Sequence, residues 1–292
     1  MVSIITVNFN GYKDTCELID SLQQYETYPY EVVVVDNASR NEEGKRLQAC
    51  GFDKVTVVCS DQNLGFAGGN NLGFQYAKGD YILYMNNDML IDRPFLEVLI
   101  DRLNSSSNIG AVSPKLLYVA PAHTIQYAGF TPLSPILLRN ETIGIGEKDE
   151  GQRDQARETA FLHGACMLTS RKVLEDAGQM TEVYFLFYEE FDWSMQLKRA
   201  GYSLWYEPAA AVYHKESMSI PKATPLRQYY MTRSRLLFAR RNLKGMDCML
   251  SCLYQMGVVM PKNVLTYMLK GRWQMVCASW KGMVKGISDK TQ

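Results

Sequence analysis

The residues of this 292-residue chain best suited to chemistry stand in EEFDW, where Glu189, Glu190 and Asp192 follow the apolar run VYFLFY and open the helical pattern SMQLKRAGY. Acids in a first helical turn commonly do no more than complement the helix dipole. Crowded behind a strand-like run, they also push one another's pKa upward, which is what a general base requires. A second set of polar residues is spread along the chain. Asn8, Asp36 with Asn37, Asp61 with Asn63, and Asn86-Asn87-Asp88 each close an apolar, β-branched run. Among the histidines His123, His163 and His214, the last also follows such a run, in VYHKES.

The elements that must position these residues are legible from hydrophobic periodicity. Strand-like runs at 2–9, 31–37, 54–60 and 80–88 alternate with helical stretches such as DTCELIDSLQQY and RPFLEVLIDRL. That alternation predicts an α/β fold with a mostly parallel sheet flanked by helices. Ligands bind such sheets outside the carboxyl ends of the strands, so the four polar clusters should meet on one rim. The first strand-to-helix turn, NFNGYKD, lacks G-x-G-x-x-G, and no G-x-x-x-x-G-K-[ST] occurs. Dinucleotide and P-loop chemistry are therefore unsupported. A glycine-rich segment at 63–73, NLGFAGGNNLG, instead follows the third strand, where it lets backbone approach a ligand closely.

Taken in order, VNFNGY, VVVVDNAS, NLGFAGGNN, MNND, HGACMLTSR, YFLFYEEFDW and VYH resemble the successive landmarks of glycosyltransferase family 2, particularly its rhamnosyltransferase-like members, over about residues 2–216. The resemblance implies a GT-A fold and inverting transfer of a sugar from a UDP- or dTDP-linked donor to a hydroxyl, with Mg²⁺ or Mn²⁺ at the diphosphate. It places Asp36 at the nucleobase with Asn8 and Asn37 beside it. Asn63, the Gly65-Phe66-Ala67 turn and Asn87 would line the rest of the donor. Asp88 is the main cation ligand it implies, because Asn86 stands at the first acidic position of the family's D-x-D, and His214 would complete the metal site. Glu190 occupies the position of the family's base, an aspartate there, so the resemblance leaves Glu189 and Glu190 both open for that role. His163 and Gly164 match a segment on the acceptor side. Trp193 and Trp205 could stack on sugars, although aromatic residues in such patterns are more often core.

Charge divides the chain. Residues 222–292 carry 13 Lys and Arg against Asp247 and Asp289, a net of +11, which leaves −11 on residues 1–221 within a neutral total. The stretch SIPKATP, 219–225, marks the expected boundary between a catalytic domain, 1–221, and a basic, mainly helical extension, 222–292. Arg227, Arg233, Arg235, Arg240, Arg241 and Lys244, interleaved with apolar residues, suggest an anionic membrane surface. Pro261, Lys262 and Lys270 interrupt the apolar runs too often for a spanning helix. No nucleic-acid recognition motif accompanies the charge, so nucleic acid is the weaker partner, and a homo-oligomer interface is the other use of the tail. The N-terminal run is too short for a signal peptide. The expectation is a cytoplasmic enzyme, peripheral on the inner membrane face, that acts on a glycan or lipid-linked acceptor in cell-surface polysaccharide synthesis. Asn86 also admits a non-catalytic module that binds nucleotide-sugar or glycan. Scattered Cys residues without a CxxC pair read as buried and reduced.

Overall fold

A computed structural model describes residues 1–216 and 224–291. The boundary expected at 221/222 lies outside the described residues. The amino-terminal half alternates β1 (Val2–Asn8), α1 (Tyr12–Tyr25), β2 (Tyr30–Asn37), α2 (Glu43–Ala49), β3 (Val55–Ser60), α3 (Gly65–Phe74), β4 (Tyr81–Met85), β5 (Met89–Leu90) and α4 (Leu96–Asn104). Next come β6 (Ile109–Tyr118), β7 (Thr124–Tyr127), β8 (Arg157–Glu158), β9 (Cys166–Ser170), α5 (Arg171–Ala177), α6 (Glu189–Arg199) and β10 (Ser203–His214). The extension is α7 (Pro225–Asn242), α8 (Gly245–Tyr254), a π-helical turn (Gln255–Val259), α9 (Met260–Leu269) and α10 (Trp273–Ser288).

The sheet runs β3-β2-β1-β4-β9-β6-β10-β5. From β3 to β4 it is parallel, and β1 is buried over nearly its whole length, as a strand covered by helices on both faces must be. Beyond β4 the expectation of a mostly parallel sheet gives way to a mixed one. Strand β9 runs antiparallel to both β4 and β6, while β6 and β10 are parallel. Helix α4 shows how a covering helix is specified: Leu96, Leu99, Ile100 and Leu103 fall at i, i+3, i+4 and i+7 and are all buried.

The extension is not a detached basic arm. Leu237, Phe238 and Ala239 of α7 are buried in one apolar cluster with Leu138, Tyr184 and Tyr188 of the body. The arginines expected to face a membrane turn inward instead. Arg233 donates from Nη1 and Nη2 to the carbonyls of Tyr184 and Val183 (both 2.8 Å) and pairs with Asp289. Arg240 donates to the Gly286 and Asp289 carbonyls, and Arg241 pairs with Asp192. The physical reason is local: the segment before α6 leaves carbonyl oxygens without strand partners, and planar guanidinium groups satisfy several at once. Of the cysteines only Cys166 is fully buried, so their reading as core residues is corrected.

Candidate active site

Parallel pairing brings the strand ends together. Asn8 lies opposite Asp36, and Asp36 opposite Cys59. Asn8 is fully buried. Its Nδ2 donates to Asp36 Oδ1 (2.8 Å), Ser39 Oγ (3.1 Å) and Glu43 Oε2 (3.1 Å), and its Oδ1 accepts from Thr15 Oγ1 (2.8 Å). Asn87 Nδ2 donates to the same threonine hydroxyl at 3.0 Å. A continuous network thus joins the ends of β1, β2 and β4, with Asp36 oriented by Asn8. Glu43 is a member that sequence reasoning missed, because an acid in a first helical turn carries no distinguishing signal.

Asn37 and Asn63, expected at the donor, are bonded to each other. Asn37 Nδ2 donates to Asn63 Oδ1 and to the Gly65 carbonyl (both 3.1 Å), and its Oδ1 accepts from Leu64 N at 2.9 Å. These bonds, with Asn63 Oδ1 also accepting from Gly65 N at 2.9 Å, brace the turn that starts α3. Gly65 in that turn has φ +74°, and a Cβ there would come within 2.3 Å of the Phe185 carbonyl oxygen. Phe66 N donates to the same oxygen at 3.1 Å, while Ala67 is buried beneath. The glycine is therefore required for close approach of two loops.

The second of those loops leads into the carboxylates. Phe185, Phe187 and Tyr188 all have left-handed backbones, φ +66°, +65° and +77°, a conformation costing of order 1 kcal/mol or more each for such residues. It persists because its carbonyls are held by Arg233, Ser234 and Phe66. Glu189 is buried, with Oε2 lacking any partner. Burial, then the charge of Glu190, pushes its carboxyl up to about 8. Glu190 is half-buried, and burial raises its carboxyl to about 7. No hydrogen bond from another described side chain reaches it. Asp192 is fully buried and turned away from the rim. Its oxygens accept from Tyr184 Oη (3.0 Å), Arg241 Nε (3.1 Å) and Asn242 Nδ2. This corrects its expected catalytic place: Asp192 is an anchor for α7.

Asp88 and His214 meet because β5 pairs antiparallel with β10, setting His214 opposite Met89. Both side chains are buried. His214 Nε2 lies 3.0 Å from Asp88 Oδ1, and Nδ1 lies 2.8 Å from Gln126 Oε1. Gln126 was invisible in the sequence, being brought in by β7. Both ring nitrogens face oxygen, yet a neutral imidazole carries one N–H. Which nitrogen carries it is set by the tautomer and by the orientation of the Gln126 amide. Among the described residues no set of three His, Cys, Asp or Glu side chains forms here. One carboxylate and one imidazole suit a cation whose other positions are filled by diphosphate oxygens and water.

His163 joins the two halves of the site. Its ring is 6.3 Å from that of His214 and stacks on Phe130. Burial, then His214, holds its imidazole down at about 3, so the ring is neutral and its Nδ1 accepts from Ala165 N at 3.2 Å. A Cβ on neighbouring Gly164 would stand 3.5 Å from Glu190 Cβ. A run of contacts therefore leads from the Asp36 network through Thr15 and Asn87 to Asp88, His214, His163 and Gly164 beside Glu190. Trp193 is fully buried against Tyr84 and is core.

The model for glycosyl transferase family 2 matches residues 3–178. The low-salt glycan biosynthesis hexosyltransferase Agl10 of Haloferax volcanii is 27% identical over 207 residues, covering 70% of this chain and 63% of its own length. The dTDP-rhamnosyl transferase RfbF of Shigella flexneri is 25% identical over 253 residues, 82% of this chain and 79% of that protein. Among solved structures, GalNAc-T7 with UDP, GalNAc and Mn²⁺ superposes with a TM-score of 0.64 at 15% identity, over 82% of this chain and 50% of that one. That likeness shows the GT-A fold.

Proposed function

The chain belongs to glycosyl transferase family 2, and from that premise we propose that it is an inverting, cation-dependent enzyme transferring a sugar from a nucleoside-diphosphate donor to a hydroxyl of a lipid-linked or other glycan acceptor. The observation that carries this reading is Glu190: a half-buried carboxyl bonded by no other described side chain, its pKa raised to about 7, at one end of a run of contacts whose other end is the Asp36 network. Asp36 accepts from the imide N–H of a uracil or thymine base, while Asn8 holds it in place. UDP and dTDP figure in the names of the related proteins and suit the same carboxylate. A divalent cation held by Asp88 and His214 would neutralise charge on the departing diphosphate. The acceptor enters past His163 and Gly164. Glu190 takes the hydroxyl proton as that oxygen bonds to the anomeric carbon and the carbon–oxygen bond to the diphosphate breaks, the diphosphate keeping the electron pair.

The test is release of nucleoside diphosphate from UDP- and dTDP-sugars with and without Mn²⁺. Donor binding without any turnover would reduce the chain to a binding module. Asp88→Ala should weaken Mn²⁺-dependent nucleoside diphosphate binding about 10–100-fold, the worth of one charge-assisted contact, and leave binding in EDTA unchanged. Calorimetric titration checks this, and equal affinity in Mn²⁺ would reject Asp88 as the cation's anchor.

Membrane association is part of the proposal, by a surface other than the arginines of α7. No described helix is long and apolar enough to cross a membrane. Helices α8 to α10 nevertheless expose Leu265, Leu269, Trp273 and Trp280 alongside Lys262, Lys270, Arg272 and Lys281. That mixture fits an anionic lipid interface, each cation contributing about 1 kcal/mol. Sedimentation with anionic vesicles should retain the chain at low salt, and Leu269→Glu with Trp273→Glu should release it. Retention of that variant would move the contact elsewhere.

A further inference from the structure

The helical extension contains a cavity of about 290 Å³ between α7, the π-helical turn, α9 and α10. Met260 and Met283 line it, and they also line a second cavity of about 470 Å³ walled by Val264, Val276 and Trp280. The two cavities adjoin at these methionine side chains, the first with a polar lining and the second apolar, and the groove they outline is continuous wherever those flexible side chains turn aside. Volumes of this size are those of ligand sites.

The polar end abuts the loop that carries the base. Arg227 and Arg235 line it. The Arg227 guanidinium lies 4.7 Å from the centre of the Phe187 ring, and Arg235 Nε donates to Tyr188 Oη at 2.8 Å, so both stand beside the residues immediately preceding Glu189 and Glu190. Every other arginine named above in α7 is spent on carbonyls or carboxylates. Among the described residues, Arg227 and Arg235 pair with no carboxylate, and neither offers its terminal nitrogens to a protein acceptor. Two uncompensated guanidinium groups at the head of a methionine-lined groove are complementary to one kind of molecule: an anionic phosphate head on a long apolar chain.

We infer that this groove binds the lipid phosphate stem of the acceptor, the phosphate or diphosphate at Arg227 and Arg235 and the hydrocarbon along Met260, Met283, Val264 and Val276. The inference rests on the lipid-linked reading of the acceptor. It gives the extension a role in the reaction: holding the phosphate there directs the sugar head toward Glu190. The apolar end emerges beside Trp280, on the surface proposed to meet the membrane, so the chain would enter without crossing water.

The test uses the full chain in EDTA, which removes cation-dependent donor binding from competition. Farnesyl diphosphate, farnesol and inorganic diphosphate are titrated calorimetrically. Farnesyl diphosphate should bind saturably, at least about tenfold more tightly than either fragment, since both ends of the groove must be filled. Arg227→Gln with Arg235→Gln should weaken it about tenfold or more, toward farnesol, and Val264→Asp should weaken it similarly from the other end. Unchanged affinity in both variants overturns the inference, as does inorganic diphosphate binding as well as the lipid. Should the double arginine variant not fold, Val264→Asp and the comparison of the three probes on the native chain still decide. Nucleoside diphosphate binding with Mn²⁺, measured in parallel, separates failure of the groove from failure of the glycosyltransferase reading.

Discussion

Glu190→Gln should lower turnover about 10²–10⁴-fold, the usual cost of losing a general base, and leave donor affinity within about twofold. The amide keeps the size and polarity of the side chain but takes no proton. Because the Glu190 carboxyl is raised to about 7, the acid limb of kcat/KM in the native chain should fall near pH 7, not near the ordinary carboxylate range. The base must be ionised, so the rate drops as pH is lowered through that value. Glu189, raised to about 8, is mostly protonated at pH 7, so Glu189→Gln replaces one neutral group by another and should turn over nearly normally. Its effect is on stability instead. A carboxyl raised in the folded state stabilises fully below its unfolded value of about 4.5 and loses that contribution as pH climbs to about 8. Glu189→Gln removes the loss. It should match the native chain at pH 4.5 and exceed it at pH 8 by on the order of a few kcal/mol, read from urea unfolding at each pH. Because the two carboxyls interact, the native limb belongs to the pair. An inactive Glu189→Gln beside a nearly normal Glu190→Gln would exchange the two roles.

Asp192→Ala should cost about 3–5 kcal/mol, the penalty for leaving a largely buried counter-charge alone. Arg241, Tyr184 and Asn242 all converge on this carboxylate, and removing it strands a guanidinium that is only 23% exposed. Hydrogen exchange should accelerate through α7 and the 183–188 loop while β1 to β3 stay protected, since no residue of those strands bonds to Asp192. In a double-mutant cycle, Asp192→Ala with Arg241→Met should be less destabilised than the sum of the single changes. An additive result, or a cost below about 1 kcal/mol, would show that the pair is effectively solvated and that α7 is held by apolar packing alone.

The two carboxylates illustrate how far the chain could be read. EEFDW stood out by composition and place, and so did the strand-end clusters, because period-2 and period-3.6 patterns and the polar residues that close them are local properties. Asp36 and Asn8 consequently fell on one rim, while Asp88 beside His214 was implied only by the family resemblance. Sequence alone could not rank the acids, since ranking depends on which neighbours surround each one. Asp192 differs from Glu190 by two positions, and only the packing of α7 turns it from solvent to Arg241.

The same distinction covers the rest. Sequence by itself determined the alternating α/β frame, the parallel run of its first strands and the polar clusters at strand ends, all consequences of short-range backbone preference and hydrophobic spacing. Tertiary structure decided the antiparallel insertion of β9, the recruitment of Gln126 to His214 and Glu43 to Asn8, and the fate of the basic tail. Net charge is a sum that ignores direction. Among these arginines, Arg233, Arg240 and Arg241 point inward to carbonyls or carboxylates, Arg235 to the Tyr188 hydroxyl and Arg227 to an aromatic face, because a buried carbonyl without a partner costs more than a surface cation gains.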